Sequence, residues 1–268
     1  MATVRSNGVD LRVNRYRIGP AGARPVVVFV HGLGIVDHSG LAFTLGMPLA
    51  TEAETVLYAL RGHGHSQVTP SGYRVADHVA DLVGLLDALD LAGPVHLVGC
   101  SYGGAVAVTT AVRHPDRVAS LFLLDPVLPV PGWTDHVLFR LEPAAAHLAS
   151  DYTIEDVMAA LGGVSRRKAV AAAQRAERLL VHTSLLDDVR SEEPLADRDF
   201  AGIDCPVVAV YGDRSEMLPQ VDALVRVVPH ARVRLVEGAD HLSVFGHTAE
   251  LGTLIREAVG LAPAAGHR

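Results

Sequence analysis

VHLVGCSYGGAVAV, residues 95–108, passes from an apolar run into small residues through the five-residue stretch Gly99 to Gly103. Val95 to Val98 is a short apolar run, interrupted only by His96, of the kind that fills a strand buried on both faces. From Gly103 to His114 the chain is small and apolar, which suits a helix packed closely on a sheet. Ser101 lies between them, with glycine at 99 and 103. G-x-S-x-G in a strand–turn–helix context fits a sharp turn that holds its serine in a strained backbone conformation, and the glycines leave room for that turn. The hydroxyl would project at the carboxyl end of a sheet, beside a helix N-terminus that favours developing negative charge.

Similar apolar runs recur along the chain at Val26–Val30, Thr55–Tyr58, Leu121–Leu124, Val207–Tyr211 and Val233–Val236. Helical patterns separate them: HVADLVGLLDALDL (78–91) has apolar residues at 79, 82, 83, 86 and 89. The chain opens as a hairpin, with Val4–Ser6 and Val9–Val13 flanking Asn7-Gly8, a pair suited to a type I′ turn. The expectation is an α/β fold with a doubly wound, mostly parallel sheet. From 129 to 195 the pattern is helical, with EDVMAALGG and SRRKAVAAAQRAERLLVHTSLL and no convincing strand. This segment should leave the sheet as a helical cap over the Ser101 edge, dividing the core into 1–128 and 196–262. Residues 263–268 are expected to be a disordered tail.

The 268 residues, 49% hydrophobic and 20% charged, suffice for one large α/β domain. Net charge is −7 and the densest basic group, Arg166, Arg167 and Lys168, reads as a solvated helix face. That argues against nucleic acid or an acidic membrane as partner. Two cysteines make no disulfide framework, which favours a reducing compartment. The start, MATVRSNGVDLRV, lacks the apolar region of a secretory signal. No segment approaches the ~18 uninterrupted apolar residues of a membrane span. The expected setting is the cytoplasm, with a small hydrophobic substrate as partner and a homodimer left open. No His/Cys/Asp/Glu group has metal-site spacing and no phosphate loop is present, so no cofactor or metal is expected.

A serine hydroxyl needs a base. Of the 14 histidines, His241 stands in VRLVEGADHLSVF, in the loop directly after the last strand run. In a doubly wound sheet that loop opens at the same edge as the Ser101 turn. His247 reads as structural. In FVHGLGIVDHSG (29–40), Gly32 and Gly34 let backbone approach a ligand, and the amides of Leu33 and Tyr102 could form an oxyanion hole. His31 would brace that loop.

Five motifs now stand in order: HGLG (31–34), RGHGHS (61–66), GCSYGG (99–104), LLDP (123–126) and GADH (238–241). Together they resemble the α/β-hydrolase superfamily over nearly the whole chain. RGHGHS is similar to a structural loop of that family, although Ala59 stands where many members have aspartate. The resemblance implies a triad in the order nucleophile, acid, histidine. Serine at 101 argues against the epoxide hydrolases and haloalkane dehalogenases of the superfamily, which use aspartate there. In many members the acid ends a G-x-x-D after the penultimate strand; here that register reads Gly212, Asp213, Arg214, Ser215, and the aspartate is missing. Some members carry the acid after strand 6 instead, and Asp125 follows the Leu121–Leu124 run. Asp125 is therefore ranked first, Glu216 is the alternative acid, and Asp213 comes third.

The expected activity is that of a serine hydrolase, an esterase or lactonase that cleaves a hydrophobic carboxylic ester, lactone or thioester through a Ser101 acyl-enzyme. Expected pocket residues are Trp133, Val137, Phe139, Leu141, Tyr152 and Met158. The elbow combined with an early acid has some similarity to lactonases of the zearalenone-degrading type. Two alternatives stay open: an acyltransferase or cyclase using the same triad, and a non-hydrolytic lyase or ligand receptor.

Overall fold

The computed structural model describes residues 1–19, 22–34, 39–150, 152–160 and 165–261. Its strands are β1 Ala2–Ser6, β2 Val9–Tyr16, β3 Val26–Val30, β4 Glu54–Tyr58, β5 Val95–Cys100, β6 Val118–Leu124, β7 Val207–Gly212 and β8 Arg232–Val236. They make one sheet in the order β1-β2-β4-β3-β5-β6-β7-β8. β1 and β2 form the antiparallel hairpin, with Asn7 and Gly8 at φ 45° and 75°, and β2 pairs antiparallel with β4. Every later pairing is parallel. All of the expected strand runs are strands, extended by a residue or more where backbone pairing outlasts the apolar side chains.

The helices are α1 Ser39–Leu41, α2 Met47–Leu49, α3 Val75–Ala88, α4 Tyr102–Arg113, α5 Trp133–Leu148, α6 Ile154–Ala160, α7 Arg166–Leu180, α8 Leu185–Arg190, α9 Gln220–Val227 and α10 Thr248–Ala258. Side chains alternate across a strand, so β3 sends Val28 and Val30 into one core layer and Val27 and Phe29 into the other. α3, α4 and α9 cover the first layer. Leu41, Leu45 and Leu49 join Leu251 and Ile255 of α10 over the second. The sheet is thus covered on both faces, as its continuous apolar strands require.

Register brings the loops at one edge together. Gly99 pairs with Val30 and Leu123, Leu124 with Cys100 and Val210, and Gly212 with Val236. The residues that follow β5, β6, β7 and β8 therefore emerge side by side.

Between β6 and β7 the chain leaves the sheet through α5, α6, α7 and α8, with no strand among the described residues. At the base of this excursion the Leu195 N–H donates to the Pro129 carbonyl at 2.8 Å. Its basic group at 166–168 is exposed. The pattern EDVMAALGG runs into 161–164, and the tail expected at 263–268 also lies outside the described residues. No described helix is long and apolar enough to cross a membrane.

RGHGHS is tied to the core by a buried bidentate pair, Arg61 to Asp81 of α3 at 2.7 and 2.6 Å. The Ser66 hydroxyl donates to the Ala59 carbonyl at 2.7 Å and accepts the Arg12 N–H at 2.8 Å. These bonds use the backbone of residue 59, so alanine serves there.

α4 lies so close to the sheet that glycine is required. A Cβ on Gly103 would stand 2.0 Å from the Val30 carbonyl oxygen, a fixed backbone atom. Gly103→Ala is expected to cost about 3 kcal/mol, the upper end of ordinary overpacking. For a chain of this size that lowers Tm by roughly 6–12 °C. A thermal melt within about 2 °C of the parent would contradict this packing account.

Candidate active site

The turn between β5 and α4 holds Ser101 at φ 52°, ψ −123°, a conformation that non-glycine residues seldom adopt. Neighbouring backbone holds it there. The Ser101 N–H donates to Leu124 O at 3.0 Å, and its carbonyl accepts from Gly104 and Val127 at 2.8 and 2.9 Å. Gly32 faces the serine, and a Cβ there would come within 2.9 Å of the Ser101 Cβ. Such strain persists only when the surroundings over-determine it.

His241, in the loop after β8, places Nε2 3.1 Å from the Ser101 Oγ. Its Nδ1 lies 2.5 Å from Oδ2 of Asp125. A carboxylate only accepts, so Nδ1 carries the proton and Nε2 is left with the lone pair that faces the serine. Asp125 follows β6 at φ 43° and is fully buried. Its own N–H donates to Val210 O at 2.7 Å, and its Oδ1 accepts the Gly212 N–H at 3.0 Å. Oδ2 also accepts the hydroxyl of Ser215 at 2.5 Å.

The other candidates lie elsewhere. Glu216 pairs with Arg140 of α5 at the surface. Asp213 Oδ1 is buried and has no hydrogen-bond partner. His247 sits at the start of α10, 3.9 Å from Glu250. His31 accepts the Leu60 N–H on Nε2 at 3.0 Å, with Nδ1 2.7 Å from Gly32 O. His63 of RGHGHS accepts the Gly34 N–H at 3.2 Å and packs edge-on to His31 with ring centres 5.2 Å apart. The two histidines thus brace the HGLG turn.

Two cavities meet at the serine. The larger, about 290 Å³, runs from Ser101 and His241 past Leu33, Leu41, Thr44, Cys100 and Phe245. The smaller, about 120 Å³, lies under α5, lined by Tyr102, Val137, Arg140, Leu141 and Met217 together with Ser101 and His241. Leu33 and Tyr102, whose amides were expected to hold an oxyanion, both border it. Leu242 lines both cavities at their mouth. A cleft of about 620 Å³ at the β7–β8 edge, bordered by Asp204, Arg232 and Glu257, touches none of these residues.

The expected pocket set divides. Val137 and Leu141 line the smaller cavity. Phe139 does not: it is 81% exposed. Two residues along a helix turn the side chain about 200°, to the opposite face. Trp133 is buried and packs on Tyr102 with ring centres 6.1 Å apart, behind the cavity wall. Tyr152 and Met158 pack against the main core cluster and line neither cavity. Arg140, Met217 and Phe245 were not anticipated. Arg140 was findable, one helical turn beyond Val137 on the same face; Met217 and Phe245 depend on loop conformation and left no periodic signal.

The chemistry near the serine is set by burial. Burial pushes the Cys100 thiol up to about 12, leaving it an inert apolar filler. Burial likewise raises the Tyr102 phenol well above its usual range. His78 of α3 packs edge-on to Tyr102, its ring centre 5.6 Å away, and neither ring nitrogen has a hydrogen-bond partner. Burial first, then the nearby His63, Arg61 and His31, hold it well below the usual histidine range. Among the described residues no group of three or more His, Cys, Asp or Glu side chains could share a metal ion.

Residues 25–248 match the family model of the alpha/beta hydrolase fold. The chain belongs to the α/β-hydrolase family. It is 33% identical over 214 residues to the pimeloyl-(acyl-carrier protein) methyl ester esterase of Chromobacterium violaceum, a match covering 74% of this chain and 79% of that protein. It is 38% identical over 124 residues to Lipase LipV of Mycobacterium tuberculosis, covering 46% of this chain and only 44% of the lipase. The chain thus spans less than half the length of that relative. The solved structure of the enol-lactonase from Burkholderia xenovorans LB400 aligns with a TM-score of 0.74 over 97% of this chain and 100% of that one. At 20% identity the likeness is one of fold.

His78 makes a pH-dependent contribution of known sign. Folded, its ring stays neutral; unfolded, it binds a proton below about pH 6.5. Acid therefore favours the unfolded chain, and the penalty is absent above that pH. As pH falls below 6.5 the loss from His78 alone should steepen towards a limit of about 1.4 kcal/mol per pH unit. Urea denaturation of the parent and of His78→Phe checks it: the variant should lose this slope. Equal slopes in the two proteins would contradict it.

Proposed function

We propose that the protein is a serine hydrolase that cleaves hydrophobic carboxylic esters, lactones or thioesters through an acyl-enzyme at Ser101. The observation that carries this reading is the unbroken chain Ser101 Oγ, His241 Nε2 and Nδ1, Asp125 Oδ2, at 3.1 and 2.5 Å, opening onto an apolar cavity. In this reading Ser101 attacks the acyl carbon while His241 takes its proton at Nε2. The buried carboxylate of Asp125 keeps the proton on Nδ1 and stabilises the imidazolium. Negative charge on the acyl oxygen is held by the amides of Leu33 and Tyr102, at the start of α4. His241 then gives its proton to the departing alkoxide or thiolate. Water, activated by the same nitrogen, attacks the acyl-enzyme and releases the acid.

The insertion 129–195 acts as the cap, since α5 supplies one wall of the smaller cavity. Two unequal chambers meeting at one oxygen suit a substrate with one bulky apolar group and one small group. The free thiols of Cys100 and Cys205 fit work in the cytoplasm.

The test is steady-state hydrolysis of p-nitrophenyl esters of short and medium acyl chains. Ser101→Ala should lower kcat by at least about 10⁴-fold. Asp125→Asn should also lose about 10⁴-fold, because the imidazole tautomer is no longer held. Glu216→Gln, which removes only an exposed ion pair, should stay within about fivefold of the parent. A deep loss in Glu216→Gln with Asp125→Asn nearly intact would assign the acid to Glu216. Absence of ester, lactone and thioester hydrolysis in the parent would sink the hydrolase reading.

A further inference from the structure

Ser215 lies in the turn directly after β7, and its surroundings give it a definite task. It is 4% exposed, and its hydroxyl donates to Asp125 Oδ2, the same oxygen that meets Nδ1 of His241. The Met217 N–H donates to the Ser215 Oγ at 3.0 Å, which leaves the hydroxyl proton directed at the carboxylate. We propose that Ser215 is a positioning residue for the Asp125–His241 pair, fixing the carboxylate plane and sharing the negative charge of Oδ2. The proposal deepens the hydrolase reading and rests on it.

The loop that carries Ser215 is built to hold this contact. The Ser215 N–H donates to Gly212 O at 3.1 Å, closing a tight turn straight after β7. The Arg214 N–H donates to Ala239 O at 2.9 Å, so the turn is bonded to the segment that presents His241. Gly212 has no space for a side chain, because a Cβ would stand 2.3 Å from that same carbonyl oxygen. Its N–H takes Oδ1 of Asp125. One turn therefore grips both carboxylate oxygens. A second carboxylate at 215 would crowd a like charge against Asp125 in a buried site, where only one could ionise. A hydroxyl donor is what a buried carboxylate next door can accept.

The consequence is electrostatic. A donor on Oδ2 withdraws charge from the oxygen that attracts the His241 proton. Without it, that oxygen pulls harder, and the imidazole keeps its second proton to higher pH. The other charged and titratable groups around the pair stay the same in every variant at 215. They include the Tyr211 hydroxyl on β7, Asp213 in the turn itself, Asp240 beside His241, His136 and Arg140 on the smaller cavity, and Glu216 paired with Arg140.

The experiment compares the parent with Ser215→Ala, Ser215→Cys and Ser215→Thr by two readouts. One is the pH profile of kcat/KM on a p-nitrophenyl ester. The other is the NMR titration of the His241 ring protons, which needs no activity. In Ser215→Ala the acid limb and the His241 midpoint should both move up by about half a pH unit or more, with kcat lowered roughly 10-fold. Ser215→Thr keeps the hydroxyl and should keep the parent midpoint. Ser215→Cys, nearly isosteric with a weak donor, should move the same way by less, and it carries the comparison if the alanine variant does not fold. An unchanged midpoint in both the alanine and cysteine variants would overturn the proposal, whatever happens to kcat or stability. Fluorophosphonate labelling of the parent reads the hydrolase assignment separately: no label together with a shifted midpoint would sink that reading and leave the contact's role standing.

Discussion

A carboxylate without solvent needs its lone pairs filled, and at Asp125 the donors come from three segments of the chain. The Gly212 N–H ends β7, the Ser215 hydroxyl lies in the turn beyond it, and Nδ1 of His241 arrives from the loop after β8. An unpaired buried charge is among the most costly things a fold can contain. The carboxyl ends of β6, β7 and β8 are thus obliged to stay in register. The same register lets the Ser101 N–H reach the Leu124 carbonyl and ties the strained turn into the sheet. Fold and site share one set of bonds.

Much of the fold was legible because central strands such as β3 and β7 are continuous apolar runs, a signal that needs no partner to be read. The Ser101 turn was legible for a similar reason: the glycines at 99 and 103 are demanded by local crowding, and a Cβ on Gly99 would stand 2.6 Å from the Gly103 carbonyl oxygen. The choice of acid was harder. Asp125 follows β6 while Asp213 and Glu216 follow β7, and strand order together with the course of the turn after β7 decides which of them meets His241. The turn after β7 sends Glu216 outward to Arg140 and Ser215 inward to Asp125.

What escaped the sequence follows from the same limits. Phe139 was expected in the pocket as one of the apolar residues of the cap, but helix periodicity points it to solvent. The partnership of Ser215 with Asp125 joins residues far apart in the chain through a turn with no periodic signature. His78 reads as one more polar residue on α3, and only the packed structure reveals a neutral ring sealed behind Tyr102.

The central claim is that Ser101 is a nucleophile activated through His241 by the buried Asp125. The most direct measurement is the rate and position of fluorophosphonate labelling, mapped by peptide mass spectrometry. The account predicts one adduct, on the peptide containing Ser101, formed at least about a hundredfold more slowly in Asp125→Asn than in the parent. An adduct on another residue, or equal labelling rates in the two proteins, would contradict it.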